Sequence, residues 1–280
     1  MNKAQEIQQR IKDIHEISTL PQVMRRIMEI VVDERSSARD LAEETSHDQA
    51  LTGKLLRIVN SAFYGFYRRI SSVSEAVVIL GYNEIRSIAV TVSVIDMFAR
   101  RSSLRQFDRV KFWEHSIATA TLSDILRQEC CSFEEGAFTA GLLHDIGKVV
   151  LDEYFPADWD QVLQVWYENG GSIFEMEREI LGIDHADIGY MLCEFWNLPL
   201  SICLAIRNHH RLPELQSSTP LEGIAYLANQ LVKEKGMGFS ERDQAVPIPE
   251  TEVIRQVIGL EEQHLVRIDT SLMKRMSSIR

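Results

Sequence analysis

Apolar residues recur every three or four positions along most of the chain, the spacing of helices with one buried face. Ile7, Ile11, Ile14 and Ile17 form one such stripe and predict an amphipathic helix over Ala4–Ile17. Pro21 fits a first helical turn, and Val23, Ile27, Ile30 and Val31 continue as a second helix. Ser37 is placed to cap a third, which holds Leu41 and Ala42. Asp48 is placed to cap a fourth, through Leu51, Leu55, Leu56 and Val59. The stretch from Ala62 to Arg69 is aromatic and basic and reads as a loop. Ser74 is predicted to cap Glu75–Leu80 and Gly81 to end it, before a long helix over Asn83–Ala99. Arg100-Arg101-Ser102-Ser103 marks a subdomain boundary. Further helices are predicted near Val110–Gln128, Phe133–Tyr154, Trp159–Asn169, Ile173–Leu181, Ala186–Trp196, Pro199–His209 and Leu221–Lys235. Asn169-Gly170-Gly171-Ser172 reads as a turn with Ser172 as N-cap, and Gly236–Pro249 as a loop. Thr251 and Glu261 open two last short helices. No period-2 strand pattern appears, so the predicted class is all-α.

Composition narrows the setting. The 280 residues are 45% hydrophobic and 25% charged, enough for one large or two smaller domains. Cys130, Cys131, Cys193 and Cys203 show no CxxC spacing and read as reduced thiols. No apolar run approaches the roughly 18 residues of a membrane span. No signal peptide opens the chain, so a cytoplasmic location without membrane contact is expected. The net charge of −11 is uneven. Residues 1–111 hold 17 Lys/Arg against 14 Asp/Glu, and residues 112–280 hold 13 against 27. The acidic half argues against non-specific nucleic-acid binding there and is compatible with a carboxylate-containing cation site.

The chemistry centres on Gly141-Leu142-Leu143-His144-Asp145-Ile146-Gly147-Lys148. On a helix, His144 and Lys148 share a face. A His–Asp pair there offers a nitrogen and a bridging carboxylate to a cation, and the lysine faces a phosphate bound to it. Taken alone, a His–Asp dipeptide is more often a hydrogen-bonded surface pair. Five of the eight histidines, however, fall in the helical second half before residue 211: His115, His144, His185 and, together at one helix end, His209 and His210. Each singly is more often a capping or hydrogen-bonded residue. Delivered by separate helices to one centre, they are how helical bundles build metal sites.

These residues resemble the HD superfamily, and most closely its HDOD branch (HD-related output domain). The matching stretches are Leu20-Pro21, Asp48–Thr52, Leu55–Tyr64, Ile70–Val73, Ala76–Gly81, Trp113–Ser116, Gly141–Lys148, His185–Gly189, Trp196–Pro199 and His209-His210. The resemblance implies an all-helical protein: an N-terminal helical bundle over 1–105, an HD-like core over 106–235, and a C-terminal loop and helical tail over 236–280. It implies a bacterial signal-transduction output or regulatory module acting through protein contacts. In catalytic HD relatives, positions matching His115, His144 and Asp145 hold a divalent metal. Binuclear relatives of the HD-GYP type add positions matching His185, His209 and His210, with the aspartate bridging. The expected cofactor is therefore one or two ions of Fe, Mn, Mg, Zn or Ni, or none.

Three positions depart from that pattern. The closing aspartate is matched by Asn229, whose amide supplies no charge and cannot act as a base. Lys111 stands where binuclear relatives carry a glutamate ligand. No Gly-Tyr-Pro signature follows His210, where the chain reads Arg211-Leu212-Pro213-Glu214, which argues against cyclic dinucleotide hydrolysis. The alternative to a signalling module is a metal-dependent phosphohydrolase acting on a phosphate ester. There the bound metal lowers the pKa of water, Asp145 bridges and orients that water, and Lys148 stabilises phosphoryl charge.

A rival reading covers the N-terminal part. Ser37–Glu44 followed by Asp48–Asn60 reads as helix, turn, helix, and Lys54, Arg57, Arg68 and Arg69 come with no acid before Glu75. The buried apolar face of an HDOD bundle explains the same residues, so nucleic acid is disfavoured as a partner. Signalling proteins are the expected partners, with Phe63–Arg69 as contact surface. Val253, Ile254, Val257, Ile258, Leu265, Ile268 and Leu272 imply that the tail packs on the core or on a second copy, as a homodimer.

Overall fold

A computed structural model describes residues 3–13, 37–46, 49–60, 66–81, 85, 88–89, 92, 102, 104, 106–130, 136–196, 198–211, 219–240, 242–243 and 258. The regular structure among these residues is all helical, with no strand. The helices are α1 (Lys3–Asp13), α2 (Ala38–Ser46), α3 (Gln49–Val59), α4 (Val73–Leu80), α5 (Arg109–Glu129) and α6 (Ala137–Leu143). They continue as α7 (Ile146–Tyr154), α8 (Pro156–Asn169), α9 (Ile173–Leu181), α10 (His185–Phe195), α11 (Leu200–Asn208) and α12 (Pro220–Glu234). The predicted second helix, the Asp48 cap and the two last helices lie outside the described residues. Of the predicted helix over Asn83–Ala99, Ile85, Ile88, Ala89 and Val92 are described; all are helical and buried.

Local sequence sets the ends. Asp108 caps α5 by accepting from the amides of Val110 and Lys111. Thr219 and Glu222 close a capping box on α12. Ser72, not Ser74, caps α4, because its hydroxyl is the one placed to accept from Glu75 N. Gly81 ends α4 at φ 87°, a conformation open to glycine, with its amide returning to Val77 O. The predicted continuous helix from Phe133 to Tyr154 is two helices. The chain breaks at His144 and Asp145, which turns both side chains inward.

Two apolar clusters form. The smaller joins Leu41 and Ala42 of α2, Leu55 and Val59 of α3, and Val73, Ala76 and Val77 of α4 with Ile70, Ile85, Ile88, Ala89 and Val92. Asn60 fastens its loop. Its amide donates to Leu56 O and Ile70 O, and its Oδ1 accepts from Ile70 N at 2.7 Å. The larger cluster contains α5 to α12, and it also takes Ile7 and Ile11 of α1. Lys3 pairs with Asp158 and Arg10 lies over the Phe155 ring, so α1 packs against the larger cluster. Its centre is aromatic. Phe107, Phe112, Trp159, Trp166 and Phe239 meet in a chain of tilted, edge-on and stacked rings.

Candidate metal centre

Helix α5 is lined with small residues toward α6, and that allows close approach. A Cβ on Gly141 would stand 2.7 Å from Ala120 Cα and 2.8 Å from Thr119 O. The contact brings His144, after α6, against His115 of α5. Gly147 does the same for a second pair of helices. A Cβ there would lie 2.0 Å from His185 O, so glycine lets the start of α7 cross the start of α10. The break between α6 and α7 thereby sets Asp145 between His115 and His144 on one side and the helix that begins with His185 on the other.

All five predicted histidines and Asp145 meet there. His115 Nε2 stands 3.1 Å from His144 Nε2. His185 Nε2 stands 3.3 Å from His209 Nε2 and 3.0 Å from His210 Nε2. Asp145 lies between the two sets. Its Oδ2 faces His144 and His115 at 3.4 and 3.7 Å, and its Oδ1 faces His185 and His209 at 3.0 and 3.3 Å. His115, His144, Asp145, His185 and His209 have no more than 0% exposure, and His210 alone is half-buried.

The outer nitrogens are committed elsewhere. His115 Nδ1 donates to Met237 O at 2.9 Å, His144 Nδ1 to Gly141 O at 2.7 Å and His209 Nδ1 to Ile206 O at 2.6 Å. In these neutral tautomers the Nε2 lone pairs point at one another, which requires a proton or a cation between them. The proton is disfavoured at three of the rings. Burial, with His144 alongside, takes His115 down to about 3. Burial takes His209 to about 3 and His210 well below its ordinary value. With metal–nitrogen bonds of about 2.0–2.1 Å, adjacent nitrogens stand about 3.0 Å apart in an octahedral site and about 3.4 Å in a tetrahedral one. The observed spacings of 3.0–3.3 Å match cis ligands of a common ion. The donor set fits a divalent metal, and it divides into Asp145, His185, His209 and His210 on one side and His115, His144 and Asp145 on the other.

His185 behaves differently. Burial and the nearby Lys148 oppose its charged form, but Glu177 and Asp145 together outweigh them and lift its pKa above 6.5. One carboxylate oxygen of Glu177 accepts from both His185 Nδ1, at 2.6 Å, and His185 N, at 2.8 Å. Glu177 escaped sequence reading because it is one of several acids on α9. Its signal is position: among the carboxylates of that helix it sits in the apolar stripe between Ile173 and Leu181.

Lys148 is buried and donates to Asp145 Oδ2 at 2.6 Å, three residues back rather than beside His144. Its Nζ also lies 4.7 Å from the Phe239 ring centre. Burial is the largest influence and opposes charge on both partners, yet Lys148 with His144 and His185 holds Asp145 well below its ordinary value, and Asp145 with Asp243 and Glu177 holds Lys148 above its own. Asn229 sits on the buried face of α12, which packs on α5 and α6. Neither of its amide atoms has a hydrogen-bond partner, so no hydrogen bond ties it to the histidines or Asp145. Lys111 is exposed on α5. The segment after α12 closes over the His115 side through Met237, Phe239 and Asp243, with Asp243 paired to Lys233 at 2.8 Å.

Among the described residues no helix is long and apolar enough to cross a membrane. Away from the histidines, a groove lies in the N-terminal bundle. It encloses about 590 Å³ and is lined by Leu56, Arg57, Phe66, Tyr67, Arg68 and Arg69.

Comparisons with known proteins place this arrangement. An uncharacterized protein of Treponema pallidum (strain Nichols) is 27% identical over 226 residues, covering 79% of this chain and 43% of that protein. The chain thus spans less than half the length of the curated relative it matches. A structure from Shewanella amazonensis SB2B, provisionally named a phosphohydrolase, superposes with TM-score 0.72 at 22% identity, covering 98% of each chain. One from Marinobacter aquaeolei VT8, provisionally named a signal transduction protein, gives TM-score 0.70 at 24% identity, covering 93% of this chain and 57% of that one. At these identities the structures establish the shared all-helical fold. The HDOD domain model matches residues 17–212, which hold the five clustered histidines, Asp145 and Lys148, and on that match the chain belongs to the HDOD family.

Proposed function

We propose that the protein is a signalling module that holds a divalent cation in its HD core and acts through contacts with other signalling proteins. The observation that carries the cation is the convergence of imidazole Nε2 atoms at 3.0–3.3 Å around a shared carboxylate. Three imidazoles in one set favour Fe, Ni or Zn over Mg or Mn. An ion held by Asp145, His185, His209 and His210 would supply Lewis acidity there. His115, His144 and His209 hold their rings by backbone acceptors, and Glu177 holds His185. Asn229 brings no negative charge to the centre, and Lys148 already occupies one oxygen of Asp145. Both features weaken the case for turnover. The groove around Arg57, Tyr67, Arg68 and Arg69 supports a contact surface in the N-terminal bundle, the smaller apolar cluster from Leu41 to Val92, since Tyr67 is exposed without cover.

Metal-dependent phosphate-ester hydrolysis is the second reading. It is favoured by the same cluster and by the phosphohydrolase name of the Shewanella relative. In that reading Asp145 orients the attacking water and Lys148 turns toward phosphoryl oxygen.

Elemental analysis of purified chain for Mg, Mn, Fe, Co, Ni and Zn tests the first reading, with Asp145→Ala as control. Bound transition metal that is lost in the variant supports the centre; equal metal in both removes it. Turnover of phosphomonoesters, nucleotides or cyclic dinucleotides by the loaded wild type, absent in Asp145→Ala, would move the conclusion to the hydrolase.

A further inference from the structure

The two halves of the centre are unequal, and the asymmetry lies in Asp145. Its Oδ2, on the His115 and His144 side, is bonded to the Lys148 ammonium at 2.6 Å. Its Oδ1, on the other side, is fully buried and accepts no well-aligned hydrogen bond. A buried carboxylate oxygen that faces imidazole nitrogens at 3.0 and 3.3 Å without an aligned hydrogen bond is costly, and a cation among them relieves that cost.

The ligand sets differ in the same sense. The side of Oδ1 offers three imidazoles, from His185, His209 and His210. The side of Oδ2 offers two, from His115 and His144. The residue matching the closing ligand there is the uncharged Asn229. An ion on the Oδ2 side would share that oxygen with an ammonium, so two cations would draw on one Asp145 charge within a dry core, the nearby Asp243 being paired with Lys233 at 2.8 Å. The ammonium cannot withdraw cheaply. Lys148 has 0% exposure and is held against the Phe239 ring.

We propose that the protein binds a single transition-metal ion, and binds it between Asp145 Oδ1 and His185, His209 and His210, with the Lys148 ammonium occupying the charge position of a second ion beside His115 and His144. This rests on the metal reading above, and it reverses the order of occupancy that resemblance to catalytic HD proteins implies. Lysine in place of a metal keeps the centre neutralised whatever the metal supply on that side. The ion that remains is the one adjacent to His210, the half-buried ligand.

The experiment strips the full chain of metal, titrates it with Co²⁺, and reads stoichiometry by elemental analysis and coordination by the visible d–d spectrum. It compares wild type with His115→Ala, His209→Ala and Lys148→Met, each checked for helicity by circular dichroism. One ion in wild type, kept in His115→Ala and lost in His209→Ala, is expected. Lys148→Met is expected to take up a second ion, because it frees Oδ2 while preserving side-chain bulk. Two ions in wild type, or equal loss from His115→Ala and His209→Ala, overturns the single-site assignment and leaves the metal centre standing. No ion in any folded form overturns the centre itself and this assignment with it. Should His209→Ala unfold, the Lys148→Met stoichiometry decides: no second ion counts against the proposal.

Discussion

Glu177 Oε2 receives both the ring Nδ1–H and the backbone N–H of His185, at 2.6 and 2.8 Å. One buried oxygen thus fixes the start of α10 and the orientation of an imidazole. A carboxylate behind a metal-binding histidine raises its basicity and sets its tautomer, and loss of such a partner typically costs about 10–100-fold in metal affinity. Glu177→Gln keeps the shape and removes the charge. Competition with a chelator should show weaker Co²⁺ binding by about that factor, at unchanged stoichiometry. Unchanged affinity would make Glu177 a structural residue only.

The same substitution should have opposite signs at two glycines. Gly147→Ala places a methyl 2.0 Å from His185 O, where backbone meets backbone and neither can yield without moving α7 from α10. Overpacking of this kind costs about 1–3 kcal/mol and here also spreads the ligands. Gly53, exposed in α3, has nothing within 4 Å of an added Cβ. Gly53→Ala should gain about 0.5–1 kcal/mol from the lower entropy of the unfolded chain. Thermal melts and metal content of the two variants check both statements; a stable, metal-loaded Gly147→Ala would refute the close crossing.

The helices were legible because their signals are local. Apolar spacing, the cap at Ser37 and glycine at Gly81 act within one turn, and most observed boundaries lie within a few residues of those read from sequence. The break at His144 and Asp145 was not legible. No proline or exposed glycine interrupts Phe138–Val150, and it is the crossing of α7 against α10, a contact distant in sequence, that turns the chain. The histidines were found because their residue type is rare and each falls at a helix end or on a small-residue face. Glu177, Met237 and Asp243 were not, since a buried acid and a backbone carbonyl look like any other in sequence. The partnership of Lys148 with Asp145 instead of a face shared with His144 follows from the same break.

Phe239 lies beyond the residues matched by the HDOD model and yet is fully buried. It stacks on Trp166, meets Phe107 and Phe112, and covers the Lys148 ammonium. Phe239→Ala should therefore cost about 3–5 kcal/mol in urea unfolding followed by tryptophan fluorescence, the range for emptying a large core aromatic site. A chain ended before residue 236 should lose at least as much. A loss below about 1 kcal/mol would mean that the segment rests on the core without holding it.

Asp243 anchors that segment and makes its attachment depend on pH. Its Oδ1 pairs with Lys233 at 2.8 Å and its Oδ2 accepts from Phe239 N at 3.3 Å. Burial opposes ionisation, but Lys233, then Lys148 and His115, outweigh both burial and the repulsion from Asp145, so its pKa falls below the ordinary 3.8. A carboxyl whose folded pKa is depressed contributes stability that is complete above its unfolded value and is lost as pH falls through the folded value. At neutral pH, Asp243→Asn strands Lys233 without its partner in a buried position, a change on the order of 3–5 kcal/mol. As pH drops below 3.8 the wild-type aspartate protonates as well, and the two proteins should converge. Urea midpoints measured from neutral pH down through that window should show a gap that closes on the acid side. Parallel curves would place the anchoring elsewhere than in the Asp243–Lys233 pair.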